Sequence, residues 1–176
     1  MKSKITIKKI QDLLMKGFQT IHVDDDTSRR MWWVALEVIQ KEFLSQNYQK
    51  GGIWVASPLP ALNDKKFFNQ LRGWLWSPEG FPYFHKDKAV FLPANNSTKI
   101  KKDFDFINNY KVLNLNQKDG YEPFLMIITP NFQCILSIAG EKDKKILLMK
   151  CDEESLKISI ELMHAKFNQE NYEEGV

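Results

Sequence analysis

The sequence predicts an α+β fold: a central sheet with an antiparallel meander toward the carboxyl end, flanked by about three to four helices. Three observations carry this. Apolar residues recur at helical spacing near both ends of the chain, short strand-like runs bounded by turn residues fill the last third, and all five tryptophans fall between Trp32 and Trp76. Five of the seven prolines lie between Pro58 and Pro93, so the stretch with the largest side chains is also the most punctuated.

Taken in order, residues 6–18 place Ile7, Ile10, Leu13, Leu14 and Phe18 on one helical stripe, with Gly17 near its stop. Thr20 to Val23 reads as a short strand. Asp24-Asp-Asp-Thr-Ser supplies N-cap residues for a helix over about 28–46, whose stripe is Trp32, Ala35, Leu36, Ile39 and Phe43. Gly51-Gly52 ends that unit and Ile53 to Ala56 reads as a buried strand. Asn63-Asp64 caps a further helix through Phe67, Phe68 and Leu71 toward Trp74, followed by a turn at Ser77-Pro-Glu-Gly. Trp54 is expected in the core, and Trp74 and Trp76, leading into the turn, are expected to be partly exposed.

Ala89 to Leu92 reads as another strand, and 94–103 as the most loop-like and mobile stretch. Tyr110 to Leu115 alternates as a strand does, and Lys118-Asp-Gly turns the chain. Phe124 to Thr129 is a continuous apolar run, as in a central strand buried on both faces. Thr129-Pro-Asn leads into Phe132 to Ala139, and Gly140-Glu-Lys-Asp-Lys-Lys is a charged hairpin loop before Ile146 to Met149. Asp152 caps a last helix to about Asn168 with Leu156, Ile160, Met163 and Phe167 on one stripe. Residues 1–168 are therefore read as one globular domain and 169–176 as a mobile tail.

Composition excludes several classes. A net charge of +3, from 25 basic and 22 acidic residues, is too small to imply nucleic-acid or membrane affinity. The amino terminus shows no long apolar run and no cleavage site, and nothing approaches the ~18 apolar residues of a membrane span. A cytoplasmic location is expected. Cys134 and Cys151 stand in apolar strand-like contexts and are expected as buried free thiols.

No catalytic signature accompanies these features, so no enzyme activity and no cofactor are expected. Val23-Asp-Asp-Asp resembles the acidic magnesium pocket of response-regulator receivers, but the later strand Ile53-Trp-Val-Ala-Ser-Pro carries no acid where a receiver needs one. Helix capping without metal is the reading taken. His22, His85 and His164 lie far apart with no ligand spacing. The lysines of Lys99-Ile-Lys-Lys and Lys142-Asp-Lys-Lys read as solvated loops. Gly51-Gly52 lacks the residues of a phosphate loop.

The aromatic block remains. Its tryptophans either pack as core or line a pocket or partner surface. Trp74, Trp76, Tyr83 and His85 are the candidate binding residues, because the turn-rich Trp-Ser-Pro-Glu-Gly-Phe-Pro-Tyr cannot easily turn every ring inward.

Phe124-Leu-Met-Ile-Ile-Thr, Phe132-Gln-Cys-Ile-Leu-Ser-Ile-Ala-Gly-Glu and Met149-Lys-Cys-Asp-Glu-Glu-Ser-Leu-Lys-Ile-Ser-Ile-Glu-Leu-Met follow one another in the last third. Together they resemble the closing strand–strand–strand–helix of DICT-type sensory domains, input modules of diguanylate cyclases and two-component kinases, notably in cyanobacteria. Gly52-Ile-Trp-Val-Ala-Ser-Pro-Leu-Pro and Arg72-Gly-Trp-Leu-Trp-Ser-Pro-Glu-Gly resemble the front of a cyanobacterial sensor kinase. The resemblance covers a third to a half of the chain and carries over no site residue. The chain has no phosphoacceptor box and no ATP-binding boxes.

What the resemblance implies is a sensory or regulatory input domain in signal transduction. It would take a small ligand, a protein partner, a transmitter domain or a second copy as a homodimer, with the last helix as its output. The alternatives are a stand-alone interaction or assembly factor, and a small hydrolase or nuclease with an unrecognised site.

Overall fold

The computed structural model describes residues 7–16, 21–45, 51–57, 71–78, 110–115 and 122–173. Helix α1 (Ile7–Met15) buries Ile7, Ile10 and Leu14 at the predicted spacing, together with Gln11. The Gln11 amide donates to Ser137 Oγ at 2.8 Å and to the Ile138 carbonyl at 2.9 Å, so this buried polar group is paired.

Helix α2 (Asp25–Val38) starts where Asp24 accepts from the Thr27 amide at 2.7 Å and from the Thr27 hydroxyl at 3.0 Å. These bonds hold the Asp24 carboxyl below the usual carboxylate range. The cap therefore falls at the first Asp of the triplet. Val23, read as part of a strand, makes a single bridge to Lys145 before the chain enters the cap.

Past Val38 the helix widens into a π-helical segment (Ile39–Leu44). The wider turn moves the next inward position to five residues after Ile39, so Leu44 is buried and Phe43 is 39% exposed. This corrects the stripe predicted to end on Phe43, whose ring instead stacks on Phe132 with centroids 4.5 Å apart.

Six strands follow: β1 (Ile53–Ser57), β2 (Arg72–Pro78), β3 (Tyr110–Leu115), β4 (Phe124–Ile128), β5 (Gln133–Glu141) and β6 (Lys144–Lys150). They form one mixed sheet in the order β3-β2-β1-β4-β5-β6. The β1–β2 and β2–β3 pairs are parallel, and the β1–β4, β4–β5 and β5–β6 pairs are antiparallel. The fold is α+β, and its carboxyl-terminal meander is antiparallel as the sequence predicts.

Residues 72–78 correct the helix expected to run on toward Trp74. Gly-Trp-Leu-Trp alternates with period two and is rich in aromatic residues suited to a pleated surface. The hairpin is also tighter than predicted. Lys142 and Asp143 alone form its turn, and Lys144 and Lys145 belong to β6.

Helix α3 (Glu153–Glu173) is capped by Asp152, which accepts from the Ser155 amide at 2.8 Å. It runs through Glu173, into the segment read as a tail. Leu156, Ser159 and Met163 are buried on its inner side while Ile160 is 38% exposed, a correction to the predicted stripe. Positions 156, 159 and 163 follow i, i+3, i+7, and Ser159 is tolerated there because its hydroxyl donates to the Ser155 carbonyl at 2.8 Å.

The core has two layers, one on each face of the sheet. Trp32, Leu36, Ile39 and Leu44 pack on Trp54, Leu75, Leu125, Ile127 and Leu136 on one face. Ile7, Ile10, Leu14, Leu156 and Met163 pack on Val55, Trp76, Phe124, Met126 and Ile135 on the other. Strand β4 sends alternate residues to both layers, as expected for a strand buried on both faces. The strand at Ala89–Leu92, the loop at 94–103, the helix start at Asn63, the turn at Lys118 and the side chain of Phe167 lie outside the described residues.

Candidate functional site

Trp54 is fully buried on β1, as predicted. Its register partner on β2 is Gly73, and a Cβ built on Gly73 would overlap the indole. Glycine at this position therefore leaves the Trp54 ring lying flat over the neighbouring strand.

Trp74 and Trp76 point to the opposite face and differ from each other. Trp74 is partly buried against the α1/α3 layer. Trp76 is 2% exposed, which corrects the expectation that both rings stand partly in solvent. The reason is topological: β2 is an inner strand between β1 and β3, so no turn begins at Trp76. Tyr83 and His85, the other two candidate binding residues, lie outside the described residues.

Trp76 belongs to a row that crosses the sheet. One step past the Ala56–Leu75 pair, the parallel register sets Ser57 beside Trp76. Ser57 is paired on its other side with Phe124, and Phe124 with Ser137. Residues in direct register share a face, so Trp76, Ser57, Phe124 and Ser137 form one row on the side of α1 and α3.

The two hydroxyls in the row differ in kind. Ser137 Oγ donates to the Pro123 carbonyl at 2.9 Å and accepts from Gln11. Ser57 is 2% exposed, and its Oγ has no hydrogen-bond partner among the described residues. A buried hydroxyl without a partner carries a desolvation penalty of about 1–3 kcal/mol.

This row lies at the end of the sheet where the parallel strands β1 and β2 finish. Ser57 supplies a hydroxyl there, flanked in register by the buried Trp76 and Phe124, with the partly buried Trp74 farther along the same face. Such a set can orient a small, mostly apolar ligand through one or two polar atoms. Sequence reading found Trp74 and Trp76 but missed Ser57. The Ser-Pro step ending β1 was its only signal, and it had no visible partner before the register was known.

Other candidates are placed as follows. Among the described residues no group of three or more His, Cys, Asp or Glu side chains is arranged to hold a metal ion. The Asp triplet is used in capping and in pairing: the Asp25 carboxylate meets Arg29 at 2.8 Å, and this contact holds Asp25 below the usual range. Lys145, read as a solvated loop lysine, is buried and donates to Glu122 and to the Gly140 carbonyl, the latter at 3.0 Å. Cys134 is buried and Cys151 is exposed, a correction for the second, which lies past the end of β6. Both are free thiols. Among the described residues no helix is long and apolar enough to cross a membrane.

No curated protein and no solved structure matches the chain. A family model does match, over residues 8–176, which takes in the helices and strands described above except Ile7, the first residue of α1. The chain is thus a member of the family described as Domain of unknown function (DUF8628).

Proposed function

We propose that this protein is a cytoplasmic sensory or regulatory module without catalytic activity of its own. It binds a small, largely apolar ligand at the Ser57–Trp76 end of the sheet and passes the change of state to α3. The observation that carries the reading is the Ser57 hydroxyl, buried between Trp76 and Phe124 without a partner among the described residues. Buried polar groups in folded proteins are mostly hydrogen-bonded, so an exception of this kind supports a role for Ser57 in binding. The resemblance of the β4–β5–β6–α3 run to DICT-type input domains supports the same reading.

The route to α3 is short. Phe124 is paired with Ser137, Ser137 is bonded to Gln11 of α1, and α1 and α3 pack against each other in one layer. A ligand hydrogen-bonded to Ser57 would act on the end of this chain of contacts.

A thermal-shift screen of a small-metabolite library tests the reading, with Ser57→Ala and Trp74→Ala as controls. A stabilising compound whose effect is lost in both variants is the expected result, with altered hydrogen exchange in 156–167 at saturation. Compounds that stabilise both variants as well as the wild type would overturn it. Unchanged exchange along α3 would leave binding without transmission.

A second reading, an interaction or assembly factor, draws on a different observation. Met31, Trp33, Val34 and Val38 are exposed on α2, with Trp33 at 56%. Stable co-purification with one protein, lost in a Trp33→Ser, Val34→Ser variant that keeps its melting temperature, would favour it.

A further inference from the structure

The β5–β6 hairpin keeps one register from Glu141–Lys144 beside the turn to Ile135–Lys150 at its open end. One step further, the same register sets Cys134 opposite Cys151. Opposed residues in an antiparallel pair have Cα atoms about 4.5–5.5 Å apart. A disulfide spans Cα separations of roughly 4.4–6.8 Å. The strands stay together past their last ladder pair, since the Gln133 side-chain amide reaches to 3.5 Å from the Cys151 carbonyl.

The two thiols have unequal surroundings. Cys134 is fully buried in the layer beneath α2, while Cys151 is exposed to solvent. Burial pushes the Cys134 thiol well above its ordinary range, and contact with the Cys151 thiol adds to the effect. One cysteine is therefore reachable by a reagent, and the other sits behind it, able to attack only its neighbour.

We infer that Cys134 and Cys151 are a cross-strand thiol pair that low-molecular-weight disulfides oxidise to an intramolecular disulfide. Oxidised glutathione represents the oxidant class. The Cys151 thiolate attacks one glutathione sulfur, the glutathione disulfide breaks, and the departing glutathione thiolate takes up a proton equivalent to the one Cys151 lost. Cys134, after losing its proton to solvent, attacks Cys151 Sγ, and the second glutathione leaves as a thiolate and is protonated. The protein gives up two hydrogens with two electrons, and one glutathione disulfide becomes two thiols. Burial keeps the Cys134 thiolate scarce, so this second step speeds up as pH rises.

The bond would tie the start of α3 to β5. Cys151 directly precedes Asp152, whose carboxylate caps that helix. The pair thus offers control of α3 from a place separate from the Ser57 row, and the inference does not depend on any ligand at that row.

The test uses the full chain, folded and in a glutathione redox buffer, with alkylation, intact mass and peptide mapping. The expected product is a Cys134–Cys151 linkage, with an equilibrium constant at least roughly tenfold larger in the folded chain than in the guanidinium-unfolded one. Cys134→Ser should stop at a mixed disulfide on Cys151, and Cys151→Ser should leave Cys134 unmodified. A folded wild-type protein that stays a dithiol, or that stops at the mixed disulfide, would overturn the inference without recourse to either variant.

Discussion

Trp54 and Gly73 depend on each other: the indole occupies the space that any side chain at 73 would need. Gly73→Ala should therefore destabilise by about 1–3 kcal/mol, the usual effect of overfilling a packed core. In a denaturant-unfolding cycle with Trp54→Leu the double variant should be less destabilised than the sum of the two singles. Ser57 behaves in the opposite sense. Its hydroxyl is buried with no bond to the described residues, so Ser57→Ala should leave the unfolding midpoint unchanged or raise it. A clear loss of stability there would contradict the assignment of Ser57 to a ligand. The capping acids add a pH dependence. Asp24 is held low first by the Thr27 amide, and Asp152 by the Ser155 amide. Their folded values lie below the unfolded ones, so their contribution is present above the ordinary value of 3.8 and is lost as pH falls through the folded values. Asp24→Asn keeps a capping oxygen but does not titrate, so its melting temperature should fall less steeply than that of the wild type in this acid range.

At the scale of elements, the π-helical segment decides which side chain closes the α2 layer. Leu44→Ala should destabilise by about 2–5 kcal/mol, as for other buried leucines, whereas Phe43→Ala should cost clearly less because its ring is partly in solvent. Equal losses in denaturant melts would mean that the inward stripe ends on Phe43 after all. This is also where sequence reading met its limit. Spacing of 3.6 identified α1, α2 and α3, but a single widened turn shifts every later position, and nothing in Ile-Gln-Lys-Glu-Phe-Leu announces it. In α3 the error was of another kind, since Ile160 was preferred to Ser159 on hydrophobicity alone. The serine can be buried because it bonds back along its own helix. Strands β1, β3, β4, β5 and β6 were legible from alternation or from continuous apolar runs. Strand β2 was not, because Leu71 and Trp74 also fit a helical spacing.

For the molecule as a whole, what joins the elements was the least legible part. Lys145 touches three of them: its backbone bridges Val23 ahead of α2, and its ammonium donates to Glu122 ahead of β4 and to Gly140 before the hairpin turn. In the sequence it is one of several lysines in a charged run. Glu122→Ala would leave the buried ammonium with the Gly140 carbonyl but no counter-charge at Glu122 and should cost about 1–3 kcal/mol, while Glu122→Leu with Lys145→Met should recover most of that loss in thermal or chemical melts. A double variant as unstable as the single one would show that the pair holds more than its own charges. The same long-range logic hid the site, because Ser57 meets Trp76 and Phe124 only after β1 has paired with β2 on one side and β4 on the other. That arrangement bears on how the protein is made. The amino-terminal helices pack on β5 and β6 as well as on β1 and β2, and β1 pairs with β4 as well as with β2, so much of what covers α1, α2 and β1 is translated only with the last third of these residues. Until then part of their apolar surface lacks its native cover, so a chain cut short before β5 should associate wrongly more readily than the whole one.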